Sequence, residues 1–322
     1  MAAVGRQHRL LALRALGLGD LLTAVPALRA LADAFPDHRR TLACPRALEP
    51  LVALIGAVDE VVDTRPLEPL DTGLRGVDVA VDLHGRGPQS HRLLMALAPA
   101  TLIAFANPDA GAHEGPEWRP GEHEVTRWCR LLEESGIPAD PSRLQIAPPA
   151  ADPPDGVRGA TLIHPGAASG ARRWPADRFA AVARAEIERG RAVAITGDPS
   201  ERPLARRVAR LAGLPPACVL AGATDLTGLA AAVAAAGRVI CGDTGVAHLA
   251  TALGTPSVVL FGPVSPAEWG PPPDRRQHRA IWKRRTGDPH GRETDRGLLE
   301  IGVGDVLAEL DAVPERLVAV RA

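Results

Sequence analysis

The feature that most constrains this chain is an alternation of short apolar runs with helical patterns, begun twice and interrupted once. "RLLALRA" (9–15), "RTLAC" (40–44), "EVVDT" (60–64), "VDVAVDL" (77–83) and "TLIAF" (101–105) read as buried strands. Helical spacing fills the gaps at 21–34, 46–56, 88–97 and 122–136, with Pro26 falling in the first turns of its helix, where a missing N–H costs little. The stretch "APPAADPPDGVRG" (147–159) has a proline density that no helix or strand survives, and it reads as a linker. The alternation then restarts. Strands are expected at 160–165, 192–196, 218–222, 238–242 and 257–261, and helices at 176–189, 200–212, 225–236 and 246–253. Strands alternating with helices imply parallel sheets with right-handed crossovers. The expected fold class is α/β, with two Rossmann-like domains facing each other across a cleft. The expected boundaries are 1–150, 157–303 and a last helix in 304–322 that could pack on either half.

Composition narrows the function. The formal net charge is −1, so a general nucleic-acid binder, which carries a basic face, is not expected. Lys283 is the sole lysine and there is no tyrosine, so an Arg here can stand where relatives use Lys. Cys44, Cys129, Cys218 and Cys241 are widely spaced, with no CxxC pair, which suggests neither a zinc site nor a disulfide framework. Reduced thiols in the cytoplasm are the simplest reading. No apolar run approaches a membrane span. Arg14 and Asp20 interrupt the apolar N-terminal stretch, which reads as a first strand rather than a leader, and peripheral membrane contact stays open.

In open α/β sheets, ligands bind beyond the carboxyl ends of strands. Three such turns stand out. "GLGD" (17–20) is glycine-rich and ends where a helix begins. Asp20 can cap that helix, or it can act as a general base. The dinucleotide fingerprint is absent, because Leu22 occupies its third glycine position. "HPGAASGARRWPADRFA" (164–180) places small residues, Ser169, Arg172 and Arg173 between a strand and a helix. That order suits a phosphate, unless the arginines are simply solvated, and Trp174 reads as packing. "CGDTGVAHLATALGTPSVVLFGP" (241–263) sets Asp243, Thr244 and Gly245 at a strand-to-helix turn, with His248 about one turn along. Helix N-terminal amides favour negative charge, so a diphosphate fits beside Thr244 and Gly245. Asp243 would repel it, and is expected to cap the helix or to bond sugar hydroxyls. His248 reads as structural as readily as catalytic, and Cys241 as a buried apolar residue. There is no D-x-D motif and no set of metal ligands at fitting spacing.

With these residues in hand, "ALGLGDLLTAVPALRALADAFP", "HPGAASGARRWPADRFA" and "GDTGVAHLATALGTPSVVLFGP" resemble three motifs of glycosyltransferase family 9, the ADP-heptose:lipopolysaccharide heptosyltransferases and their relatives. The resemblance extends over about residues 9–265. It implies a GT-B fold and an inverting, metal-independent transfer from a nucleotide-diphosphate sugar, with no cofactor, to a glycan, glycolipid or small-molecule hydroxyl. It implies an acceptor-binding first half and a donor-binding second half. Asp20 matches the family's proposed base. Arg172 falls where many members carry a Lys near the donor phosphates. Asp243, Thr244, Gly245 and His248 match the donor turn. Glu201, in "GDPSERP", falls near a carboxylate that contacts the ribose in some members. Ser169 and Arg173 complete the expected donor set. Gly19 and the segment "DLHGRGPQSHRLL" (82–94), with His84, Arg86 and His91, are expected on the acceptor side, although that segment matches no motif of the lipopolysaccharide enzymes. A GT-B nucleotide-sugar epimerase and a non-catalytic nucleotide-sugar binder remain alternatives.

Overall fold

The computed structural model describes residues 7–314. The chain divides into two compact units, one ending at Ile146 and the other beginning at Ala147. Among the described residues, each unit is built on one five-stranded sheet.

In the first unit the strands are β1 (Arg9–Leu13), β2 (Arg39–Cys44), β3 (Glu60–Asp63), β4 (Val79–Asp82) and β5 (Thr101–Ile103). All pairings are parallel, in the order β3-β2-β1-β4-β5. Successive strands step outward from β1 to β3, and the chain then returns to the other side of β1 to lay down β4. The sheet therefore has its topological switch point between β1 and β4. Leu11, Leu13, Ala43 and Ala80 pack with Val77, Leu94 and Leu97 in one apolar core.

The helix expected at 21–34 is two helices, Leu18–Thr23 and Val25–Ala34, separated at Ala24. Pro26 is the reason. It has no N–H to return to the preceding turn, so the chain restarts its helix with Pro26 in the new first turn. The first helix also begins earlier than expected, at Leu18.

The second unit contains β6 (Thr161–His164), β7 (Val193–Ile195), β8 (Arg238–Gly242), β9 (Ser257–Phe261) and β10 (His278–Trp282). They are again parallel, in the order β10-β9-β8-β6-β7, with the switch point between β6 and β8. Two expectations fail here. The segment 218–222 is not a strand. Pro215 and Pro216 set a 3₁₀ turn, Val219 makes one isolated bridge to Ile195, and Gly222, at φ 66°, turns the chain away. β10 has no counterpart in the expected pattern. It is an edge strand, HRAIW, that opens on the buried His278 and the half-buried Arg279, so it lacks the continuous apolar run of a central strand.

The last helix spans Val303–Ala312, and the part of the expected helix beyond residue 314 lies outside the described residues. Its Val306 and Leu310 join the core of the second unit, and buried Arg238 donates to the Leu310 carbonyl at 3.0 Å. Among the described residues no helix is long and apolar enough to cross a membrane.

Candidate active site

In each unit the candidate residues gather where the sheet's order reverses. In the first, β1 runs into Gly17 and the helix Leu18–Thr23, which places Asp20 in the third helical position, just after Gly19. One oxygen of its carboxylate accepts the Gly17 N–H at 3.1 Å. The other lies 3.6 Å from Nη2 of Arg14. Asp20 thus reaches back to the first turn instead of forming the N-cap, which is Gly17. Its side chain stays 28% exposed, open to a reactant.

β4 ends at Asp82, whose buried carboxylate organises the next turn. Its Oδ1 accepts the His84 N–H at 2.9 Å. His84 Nδ1 is buried and has no hydrogen-bond partner. Burial lowers the His84 pKa, and Asp82 and Asp20 oppose that shift while Arg14 adds to it. The turns after β1 and β4 therefore share one electrostatic environment. Arg86 is exposed and contributes its backbone carbonyl to Asn107.

His91 does not join them, contrary to the acceptor-side expectation. It is fully buried, with Nδ1 2.7 Å from Asp82 Oδ2 and Nε2 2.8 Å from the Phe105 carbonyl. Burial disfavours its charged form, but Asp82 and the carbonyl outweigh burial and raise its pKa.

In the second unit, β6 leads through Gly166, Ala167 and Ser169 to a 3₁₀ turn, Gly170–Arg172, and on to the helix Ala176–Glu188. The two arginines divide their tasks. Arg173 donates through Nε and Nη2 to the Ala167 carbonyl, at 2.9 and 2.7 Å, and so staples its own loop. Arg172 turns to the end of β8. Its Nη1 lies 3.8 Å from Asp243 Oδ2 and 3.4 Å from the Asp243 carbonyl, and its Nε is buried without a partner. The Ser169 hydroxyl donates to the Pro289 carbonyl, which ties the loop to the segment after β10. Ala171 and Gly291, and Asp295 and Ala171, make further backbone bonds there. Gly170 permits this approach, because a Cβ would stand 1.7 Å from the Arg292 carbonyl oxygen. Trp174 is packing: it is buried, meets Phe179 edge-on and donates to the Ile301 carbonyl.

Asp243 is not a helix cap. The N-cap of the helix Gly245–Leu253 is Thr244, which makes no side-chain capping bond. Burial pushes the Asp243 carboxyl up to about 6, against the pull of Arg172 and with help from Glu268. The Thr244 Oγ1 is buried, makes no capping bond, and has the Cys241 thiol as its polar side-chain neighbour. His248 lies edge-on to Trp269, ring centroids 5.9 Å apart. Cys241 sits beneath, its thiol pushed up to about 12 by burial.

Glu201 follows β7. It is buried, accepts the Asp198 N–H at 2.9 Å and packs against Gly166 so closely that a Cβ there would be 1.9 Å from its Oε1. Burial raises its pKa, and Arg173 opposes the shift. Among the described residues no three His, Cys, Asp or Glu side chains converge as metal ligands.

Three contributors were not singled out in the sequence: Arg14, Glu124 and Trp128. Arg14 is fully buried at the end of β1, and Glu124 accepts from both Arg14 and Trp128, each at 2.9 Å. The available signal was a charge at the end of a strand whose other residues are apolar.

A model of glycosyltransferase family 9 (heptosyltransferase) matches residues 115–297, more than half of the chain. The chain is similar to lipooligosaccharide heptosyltransferase 2 of Haemophilus influenzae, 36% identical over 114 residues, covering 34% of this chain and 32% of that protein. It spans about a third to under half of the length of such curated relatives. Among solved structures, the E. coli ADP-heptose lps heptosyltransferase II superposes with a TM-score of 0.75 at 22% identity, covering 94% of this chain and 98% of that one. The E. coli heptosyltransferase WaaC with ADP superposes at 0.72 and 18%, covering 94% and 99%. At these identities the structural likeness speaks for the fold. Asp20 and His84 lie outside the residues that the family model matches. The chain belongs to glycosyltransferase family 9, the heptosyltransferase family.

Proposed function

We propose that this chain transfers a heptose from an ADP-linked donor to a saccharide hydroxyl, inverting the anomeric centre, without a metal ion. One observation carries the reading: Arg172, whose Nε is buried without a partner, sits with the Thr244 hydroxyl and the N-terminus of the helix Gly245–Leu253 at the switch point of the second sheet. Such a turn offers a fixed cation, a hydroxyl and helix amides to a diphosphate. The ADP and heptose assignments are supported by the family and by relatives named as heptosyltransferases.

Inversion requires one in-line displacement at the anomeric carbon. Asp20 takes the proton of the attacking hydroxyl as the new C–O bond forms. The bond to the diphosphate oxygen breaks, and the charge that develops there meets Arg172 and the amides beside Thr244 and Gly245. This supplies the role that a divalent cation would otherwise fill. Arg173 supports the loop, and Glu201 stands ready for the ribose. Gly19, His84 and Arg86 serve the acceptor. The donor class and four unbonded cysteines favour a reducing compartment, the cytoplasm.

The test is incubation with ADP-heptose and heptose-deficient lipopolysaccharide in EDTA, reading ADP release and the anomeric configuration of the product by NMR. Acceptor-dependent, EDTA-resistant release with inversion is expected. Consumption of ADP-heptose without acceptor would favour an epimerase, and retention or loss of activity in EDTA would contradict the mechanism.

A further inference from the structure

We propose that Arg14 is the positioning residue for Asp20, a buried guanidinium anchored on Glu124 that fixes the ends of β1 and β4 together; the proposal rests on the reading of Asp20 as the base.

Arg14 has no exposed surface, and each of its three nitrogens is engaged. Nε donates to the Asp20 carbonyl at 3.0 Å. Nη1 donates to the Leu83 carbonyl, immediately before His84. Nη2 donates to Thr23 Oγ1 at 3.2 Å and to Glu124 Oε1 at 2.9 Å, and stands 3.6 Å from the Asp20 carboxylate. The Thr23 hydroxyl in turn donates to the Asp20 carbonyl at 2.9 Å, so that carbonyl is held twice. One planar fork thus spans the switch point. It touches the backbone of Asp20 on one side and that of Leu83 on the other.

A buried charge with this many partners is costly to desolvate, and a purely structural role would be filled as well by apolar packing. What the fork adds is direction. Guanidinium geometry fixes several acceptors at once, which a lysine ammonium cannot reproduce. Glu124 completes the device from the helix Glu124–Glu134. It binds Arg14 and Trp128 through Oε1 and Arg127 through Oε2, while the Trp128 ring lies 4.6 Å from the Arg14 guanidinium carbon. The cation is therefore neutralised and clamped from behind, and Asp20 is presented from a rigid support.

The test compares Asp20→Asn, Arg14→Lys and the charge-free pair Arg14→Met with Glu124→Gln in the full chain, at a temperature where each is folded by circular dichroism. The readouts are kcat for ADP release from ADP-heptose with heptose-deficient lipopolysaccharide, the same release with water as acceptor, and ADP affinity. Misplacing a reacting group by about 1 Å costs about 100-fold, so Arg14→Lys and the charge-free pair are expected to lose about 10- to 100-fold in kcat with ADP affinity unchanged. Combining either with Asp20→Asn is expected to cost nothing beyond Asp20→Asn alone, because Arg14 acts through Asp20. A folded charge-free pair with wild-type kcat, beside a slow Asp20→Asn, would overturn the positioning role alone. Losses that add fully to those of Asp20→Asn would also overturn it. A wild-type rate in Asp20→Asn would overturn the reading of the base, and this proposal with it.

Discussion

The two switch points differ in how their cations are satisfied. At the first, Arg14 is fully buried and every nitrogen is engaged, so Asp20 stands on a completed support. At the second, Arg172 reaches the Asp243 carbonyl at 3.4 Å and its carboxylate only at 3.8 Å, its Nε has no partner, and Thr244 caps a helix without using its hydroxyl. Buried polar groups are normally paired, and an orphan signals strain or a missing ligand. The contrast fits the two tasks proposed for these turns. A base must be held still before the reaction, whereas a diphosphate site keeps donors unspent until the ligand brings its oxygens. His84 Nδ1, the unpaired atom at the first switch point, fits the same logic for an acceptor.

The largest effect should come from the completed site. Asp20→Asn is expected to lower kcat by about 10²–10⁴ in the ADP-release assay, the range for loss of a general base. Near-normal turnover would reduce Asp20 to its bond with Gly17 and dissolve the contrast.

Asp243→Asn sharpens the other side. The folded Asp243 carboxyl titrates at about 6, above its ordinary value. A raised carboxyl favours the fold below the unfolded pKa near 4, and that advantage is lost as pH rises through about 6. Relative to Asp243→Asn, the wild type should therefore lose up to about 3 kcal/mol of stability between pH 4 and pH 7, at about 1.4 kcal/mol per pK unit. Urea unfolding at the two pH values measures it, and a pH-independent difference would show that Arg172 already compensates the buried charge.

Thr244→Val should move two properties in opposite directions. Replacing a buried hydroxyl whose side-chain partner is only the weakly polar Cys241 thiol by a methyl removes a desolvation cost, so the ligand-free protein should gain up to about 1 kcal/mol. ADP affinity should fall several-fold in the same variant. A loss of stability would mean that the hydroxyl is satisfied in the free protein. The smallest effect is expected from Ser169→Ala. It deletes one hydrogen bond, to the Pro289 carbonyl, and should cost about 1 kcal/mol in thermal unfolding with a minor change in turnover.

Much of this contrast was legible in the residues. Short apolar runs marked nine of the strands: the six central ones because parallel strands are buried on both faces, and the edge strands β3, β5 and β7 by briefer runs. Asp20, Arg172, Asp243 and Thr244 were singled out because each follows such a run, and the structure places each in a turn after a strand. Their division of labour was not legible. Arg172 and Arg173 are neighbours with identical side chains, and only the path of the loop sends one to Asp243 and the other to Ala167. Arg14 was invisible as a support, because Glu124 lies 110 residues away in the chain and local pattern carries no such pairing. β10 escaped because it opens on His278 and Arg279 and leaves only three apolar residues in a row, too short a run to mark a strand. The capping role expected of Asp243 failed for a related reason: Asp is a favoured N-cap, but a long-range cation competes for its carboxylate.

The most direct test is a calorimetric titration of ADP, in EDTA, into the wild type, Asp20→Asn and Arg172→Ala. The account predicts that Asp20→Asn binds ADP as the wild type does. Arg172→Ala should bind about 10- to 100-fold more weakly, as the loss of a charge-assisted hydrogen bond of about 1.5–3 kcal/mol requires. Equal affinity in Arg172→Ala, or weakened affinity in Asp20→Asn, would contradict the assignment of donor and base to separate switch points.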